Sequence, residues 1–196
     1  MRLALSVLLA LAAAPLIAQR PIPSSDRVVG HLSYDGRATL GNFTGSTDSV
    51  VGRLNGAPDL ARVSGYVAAR AGRLKTGNGR RDRDQYASLQ VDSFPYIRYD
   101  VDSLTVGAPH GDTLAVVLHG QFHIHGVQRP ADLPSRLLLT PTSARLLAET
   151  PLDLRHYRIG GLSKMFGALK MKPEITVHID VTFALNPVTA SSAFAR

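Results

Sequence analysis

Residues 114–126 read LAVVLHGQFHIHG, and the order of apolar and polar letters in them decides the fold. Leu114, Val116, Leu118, Phe122 and Ile124 fall on alternate positions, against Ala115, Val117, His119, His123 and His125. Successive side chains on a strand point to opposite faces. The stretch is therefore predicted to be a half-buried strand, apolar inside and wet outside. Three of the seven histidines sit on the wet side.

The same period of two recurs outward along the chain. Between Tyr96 and Leu104 it places Ile97, Tyr99 and Val101 on one face, with Arg98, Asp100 and Asp102 on the other. Between Ile175 and Phe183 it places Ile175, Val177, Ile179, Val181 and Phe183 inward, with Thr176, His178, Asp180 and Thr182 outward. One apolar and one wet face per strand indicates an antiparallel sheet, because buried parallel strands read as continuous apolar runs. Turn signals punctuate the strands at Tyr34-Asp-Gly, Leu54-Asn-Gly, Pro109-His-Gly-Asp and His125-Gly-Val-Gln-Arg-Pro.

Two stretches break the period. From Asn78 to Gln90, Asn78 can cap a short helix with Tyr86 and Leu89 on one side. From Gly160 to Pro173, GGLSKMFGALKMKP mixes apolar residues with Lys164, Lys170 and Lys172, which suits a short amphipathic helix or lid. With so little helix to cover it, a long antiparallel sheet buries its apolar face by closing on itself. The expected fold is all-β, a single antiparallel barrel of about eight strands with one or two short helices. Such a barrel can enclose one small apolar ligand.

The first residues, MRLALSVLLALAAAPLIAQR, join a basic Arg2 to an apolar run and then small residues, the pattern of an export signal. Residues 1–18 are expected to be a signal peptide, 19–185 the barrel, and the Ala- and Ser-rich residues 186–196 a frayed tail. Export implies a periplasmic or secreted protein. The absence of cysteine excludes disulfides and thiolate metal sites. The net charge of +7 is carried mostly by dispersed arginines, and acidic residues interrupt the one dense run, Arg80-Arg81-Asp82-Arg83-Asp84. That dispersal argues against nucleic acid, which needs clustered charge. Attraction to anionic lipid head groups, in a transient contact with a membrane surface, fits the same charge better.

Three blocks in order resemble the bacterial YceI-like family: Thr76-Gly-Asn-Gly-Arg-Arg-Asp, Val91-Asp-Ser-Phe-Pro-Tyr-Ile-Arg-Tyr, and Gly120-Gln-Phe-His-Ile-His-Gly-Val-Gln-Arg-Pro. Leu152-Asp-Leu-Arg-His-Tyr-Arg-Ile is similar to a later strand of that family, and Ile175 to Phe183 to its last. The resemblance implies a lipocalin-like barrel whose apolar tunnel holds a polyisoprenoid or other long-chain lipid. Two positions depart from the family pattern: Leu154 stands where Arg is frequent, and Gln85 where an apolar residue is common.

No HExxH, GxSxG, SxxK or GxxxxGK[ST] pattern occurs, so no enzyme activity and no cofactor are expected. Asp82 and Asp84 read as part of a solvated, ion-paired loop. His123 and His125 have a spacing that zinc or copper would accept. His119 lies about 13 Å further along a strand, too far to join them. Because the opposite face must be the buried one, the histidines read as solvated polar groups, and no metal site is assigned. The expected function is an exported binding protein, with a lipid lining formed by Ile97, Tyr99, Val101, Leu118, Phe122, Ile124, Val177, Ile179 and Val181. The alternatives are a redox or stress accessory protein holding metal on the histidines, and a packed structural domain without a ligand.

Overall fold

The computed structural model describes residues 21–39, 41–160, 163–164 and 169–185. In chain order its elements are β1 (Val28–Ala38), β2 (Gly41–Thr47), β3 (Val50–Asn55), β4 (Ser64–Arg70), helix α1 (Gly79–Leu89), β5 (Tyr96–His110), β6 (Thr113–Ile124), β7 (Val127–Leu139), β8 (Ser143–Asp153), β9 (Ser163–Lys164), β10 (Leu169–Lys170) and β11 (Glu174–Ala184). Nine strands form one sheet in the order β2-β1-β11-β8-β7-β6-β5-β4-β3, with every pairing antiparallel. The expected signal peptide and the 186–196 tail lie outside the described residues.

The outermost strands, β2 and β3, follow one another in the chain with only Asp48 and Ser49 between them. The sheet therefore curls until its two ends are consecutive pieces of one bent segment. Bridges between Ser25 and Leu54 and between Ile22 and Ala57 continue the β1–β2 register, in which Leu32 faces Thr47, without a slip. Curling removes most of the exposed edge that an open sheet would present. It also turns the apolar face of each strand towards a common interior.

Local chemistry sets the corners. In the β6–β7 hairpin Ile124 faces Val127, leaving His125 and Gly126 as a two-residue turn with φ of 51° and 72°. Both residues are left-handed, as the tightest hairpin turns require. His110 and Thr113 close the β5–β6 hairpin around Gly111 and Asp112, of which only Gly111, with φ of 57°, is left-handed. Asn78 caps α1, its Oδ1 accepting from the backbone N–H groups of Arg80 and Arg81 at 3.1 Å each.

Two expectations change. Tyr34-Asp-Gly is not a turn but lies inside β1. An added Cβ on Gly36 would stand 2.5 Å from the Phe43 ring, so glycine here makes room for an aromatic side chain on the neighbouring strand. The chain instead reverses beyond Ala38, which pairs with Gly41. Between Gly160 and Pro173 the structure has no helix among the described residues. It has a short ladder, with Lys164 opposite Leu169 and Ser163 opposite Lys170. Met171 then bridges to Ala38 and the Lys172 N–H donates to the Arg37 carbonyl at 2.8 Å, which holds this part of the chain extended along β1.

Two irregularities shape the wall. Tyr99 reaches across β6: its hydroxyl lies 2.8 Å from the Ala131 carbonyl on β7 and 3.0 Å from the Leu118 carbonyl, sharing one proton between them. Gly120 sits beneath this crossing. Between β7 and β8 the pairing covers only Ser135–Leu139 against Ala144–Ala148, so the first half of β7 has no ladder to β8 among the described residues. Pro130 and Pro134 occupy that half. Pairing with β6 runs through both without a shift, so their missing donors fall on the unpaired side.

A Cβ at position 120 would meet the Asp100 carbonyl oxygen at 1.9 Å, and backbone cannot move aside cheaply. Gly120→Ala is expected to cost about 3 kcal/mol, the upper end for overpacking, read as a lowered midpoint in urea denaturation.

Candidate functional site

The interior divides along the barrel axis. At one end Ile22, Leu60, Val63, Leu114, Leu137 and Phe183 are buried against one another and fill the barrel. Towards the other end the inward side chains stand apart around a cavity of about 690 Å³. This volume lies within the usual range for small-molecule sites, roughly 300–1,000 Å³. Ile97, Val101, Val177 and Ile179 face inward yet remain partly accessible, because they border this space instead of one another.

Eight of the nine residues expected from the alternation line the cavity: Ile97, Tyr99, Val101, Leu118, Phe122, Ile124, Val177 and Ile179. Val181 does not. It faces inward as expected but is 0% exposed and belongs to the packed end. Opposite it stands Gly30 of β1, where a Cβ would lie 2.7 Å from a Val181 methyl, so Val181 fills the space that glycine leaves. The alternation gave the face correctly and could not give the depth. It also passed over Leu32, Val67, Leu146 and Leu152, whose strands had not been singled out.

Helix α1 lies across the hollow end and supplies most of the polar lining: Asn78, Arg80, Arg81, Asp84, Gln85 and Ser88. Asn78 and Arg80 are exposed as well as lining, which places the opening of the cavity here. Arg81 stacks over the Phe43 ring, 4.4 Å from its centre, and Phe43 meets Tyr34 edge-on at 6.1 Å. The Tyr34 hydroxyl donates to Gln85 Oε1. Burial pushes the Tyr34 phenol well above its usual range, Arg81 opposes the shift, and Asp82 and Tyr86 reinforce it.

Asp82 departs from the expected solvated loop. Only 6% exposed, it accepts from the Thr76 N–H at 2.8 Å and the Thr76 hydroxyl at 2.7 Å, with Lys75 Nζ 4.0 Å away. Burial opposes its ionisation, but the Thr76 hydrogen bonds together with Lys75 and Arg81 outweigh it, and its pKa falls below 3.8. The Tyr86 hydroxyl donates to the Leu74 carbonyl at 2.6 Å. Together these bonds tie α1 to the segment before it and hold its inner face over the cavity.

The histidines go to separate partners. His119 lies 2.9 Å from Asp132 and 2.7 Å from the Thr105 hydroxyl. His123 Nε2 lies 2.8 Å from Asp100 on β5. His125, rotated off the strand face by the hairpin turn, donates from Nδ1 to the Tyr157 carbonyl at 3.0 Å and packs edge-on against Phe94. The shared face implied by odd numbering therefore ends at His123. No group of three or more potential metal ligands comes together among the described residues.

A curled antiparallel sheet, packed at one end and hollow at the other, with a helix beside the opening, defines a lipocalin-like barrel with an interior compartment. Residues 25–183 match the model of the YceI-like domain, and the chain belongs to that family. Among solved structures it is similar to a polyisoprenoid binding domain from Saccharophagus degradans implicated in plant cell wall breakdown. That match has 14% identity and a TM-score of 0.69, and covers 84% of this chain and 99% of that one. It is also similar to BcnA of Burkholderia cenocepacia, at 11% identity and a TM-score of 0.63, covering 78% and 95%. A third, the YCEI protein of Campylobacter jejuni, has 11% identity and a TM-score of 0.56, covering 71% and 83%. Comparison with curated proteins finds no match.

Because the folded state lowers the Asp82 pKa, its ionised form stabilises the protein above about pH 4, and the contribution is lost as pH falls through the folded-state pKa. Asp82→Asn is expected to lower stability by about 1–2 kcal/mol at pH 7. Chemical denaturation across a pH series should show the difference from wild type shrinking as the solution is acidified below the ordinary carboxylate range. For the histidines, equilibrium dialysis of untagged protein against zinc should show no site that His123→Ala and His125→Ala abolish together.

Proposed function

We propose that this is an exported binding protein that holds a long-chain isoprenoid or similar lipid in the hollow end of its barrel, for transport or storage. The observation that carries this reading is the 690 Å³ cavity, walled by apolar side chains from strands around the barrel and open beside α1. Each buried CH₂ of a guest gains about 0.8 kcal/mol. A ten-carbon stretch of chain thus gains roughly 8 kcal/mol before the cost of ordering it is subtracted. Membership of the YceI-like family and the likeness to the Saccharophagus degradans polyisoprenoid binding domain support an isoprenoid as the class. The reading extends to a periplasmic or secreted location, with the cavity filled by transient contact with a membrane surface. The exposed Arg80 at the opening, with the exposed Arg73, Lys75 and Arg83 on α1 and the segment before it, has the charge to meet anionic head groups.

The direct test is organic extraction of natively purified protein followed by mass spectrometry, where a long-chain lipid in near-stoichiometric amount is expected. No co-purified lipid, together with no binding of added isoprenoids, would overturn the reading. Ile179→Trp, which places a large ring in the cavity, should weaken isoprenoid binding at least tenfold, read by displacement of a fluorescent apolar probe. Its circular dichroism should stay that of the wild type.

A further inference from the structure

The cavity has a floor, and the level of that floor decides how much of a guest it can hide. On β11 the lining runs from Ile175 to Ile179 and ends there, because Val181, the next residue on that face, is 0% exposed. On β6 the lining ends at Leu118, next to the buried Val116, and on β5 at Val101, next to the buried Leu104. Val181, Val116 and Leu104 belong to the one buried cluster that fills the packed end. The boundary lies at one level on neighbouring strands. Leu104 stands beside Leu118, and Val181 beside Leu146, the lining residue of β8 nearest the packed end. Among the described residues the cavity is therefore blind, with its opening beside α1.

A blind cavity has a capacity. At the packing density of a protein interior, about 0.74, a CH₂ group takes up about 25 Å³. The cavity of about 690 Å³ then holds about 25–28 carbons of chain, or about five isoprene units. Chain beyond that length has to leave through the opening. The α1 side of the opening carries Asn78, Arg80 and Asp84, which are polar or charged side chains in place of an apolar cover. A bilayer, in contrast, buries the whole of a longer chain. Each CH₂ that the membrane would bury and the protein leaves in water shifts the partition towards the membrane about fourfold.

We propose that the barrel measures its guest, taking isoprenoid chains of up to about five units from a membrane and leaving longer ones behind, with Val181 and Leu146 setting the limit. This rests on the reading of the cavity as a lipid site and adds to it which chain lengths the site accepts. The two residues act as specificity determinants: they touch the end of the chain or stop it, and they do not hold a head group.

The test mixes the full chain with phosphatidylcholine vesicles that carry one radiolabelled all-trans prenol, in a series of two to eight isoprene units. Vesicles are removed by sedimentation and the label left with the protein is counted. The protein-bound share should hold level or rise up to about five units, and be at least tenfold lower at eight units than at five. Val181→Ala/Leu146→Ala removes as many carbons as one isoprene unit contains, so the break should move one unit longer. Leu114→Ala, in the packed end and away from the lining, should leave the break in place. Ile179→Phe adds carbons inside the cavity and should move the break to shorter chains, which keeps the limit testable if the double variant folds poorly. A share that falls before four units, or has not fallen by eight, overturns the capacity limit. A break that neither of these two variants moves, or that Leu114→Ala moves as far, overturns the assignment of Val181 and Leu146. Transfer of no prenol of any length overturns the lipid reading itself.

Discussion

The structure depends on a geometrical constraint: an antiparallel sheet with one apolar face must hide that face, and the described residues include little helix with which to hide it. Curling brings β2 and β3, the two ends of the sheet, into one bent segment. Once the sheet is curled, each inward side chain faces the far wall and not a second layer. Whether walls meet is then a matter of side-chain size and of what stands opposite. Where Val181, Phe183 and Leu60 are buried in one cluster, they meet. Where Ile97 and Ile179 border the cavity towards the α1 end, they do not. The cavity is the part of the interior that the chain does not fill.

That constraint also explains what could be read from the letters. Alternation in β5, β6 and β11 reports which face is buried, and the structure places all nine singled-out residues facing inward. Alternation carries no information on distance to the opposite wall, so Val181 could not be told from Val177 although both have the same phase. Gly36 was misread because a glycine making room for a neighbouring ring looks, in one dimension, like a glycine making a turn. His125 was misread because period two assumes the strand continues, and its φ of 51° ends it. Most of the amphipathic Gly160–Pro173 run lies outside the described residues, and within the described part pairing of Met171 to Ala38 overrides any helical tendency at that position. Gln85 was visible only as a departure from a family pattern. That its amide accepts the Tyr34 hydroxyl proton depends on a residue fifty-one positions away, and no local signal links the two.

The site is accordingly divided between two kinds of element. Rigid strands supply the apolar walls, and a helix tied down by Asn78, Asp82 and Tyr86 supplies the polar end. The ties lie beneath or behind the helix, and its inner face is left to the cavity. Polar lining is thereby confined to one end, and a long apolar molecule would find it at the opening and not at the packed floor.

The seam between β7 and β8 gives the wall a mechanical character that the strand order conceals. Around most of the barrel, a change in girth would have to stretch backbone hydrogen bonds. Along the first half of β7 there are none to β8 to stretch, and two prolines leave the strand with fewer donors to offer. The turn Leu154–Tyr157 after β8 is joined to the β6–β7 hairpin by the bond from His125 to the Tyr157 carbonyl, with Leu154 and Ile159 lining the cavity. Across this joint the calibre of the hollow end is therefore held by side chains, which can repack, and not by a ladder of backbone hydrogen bonds.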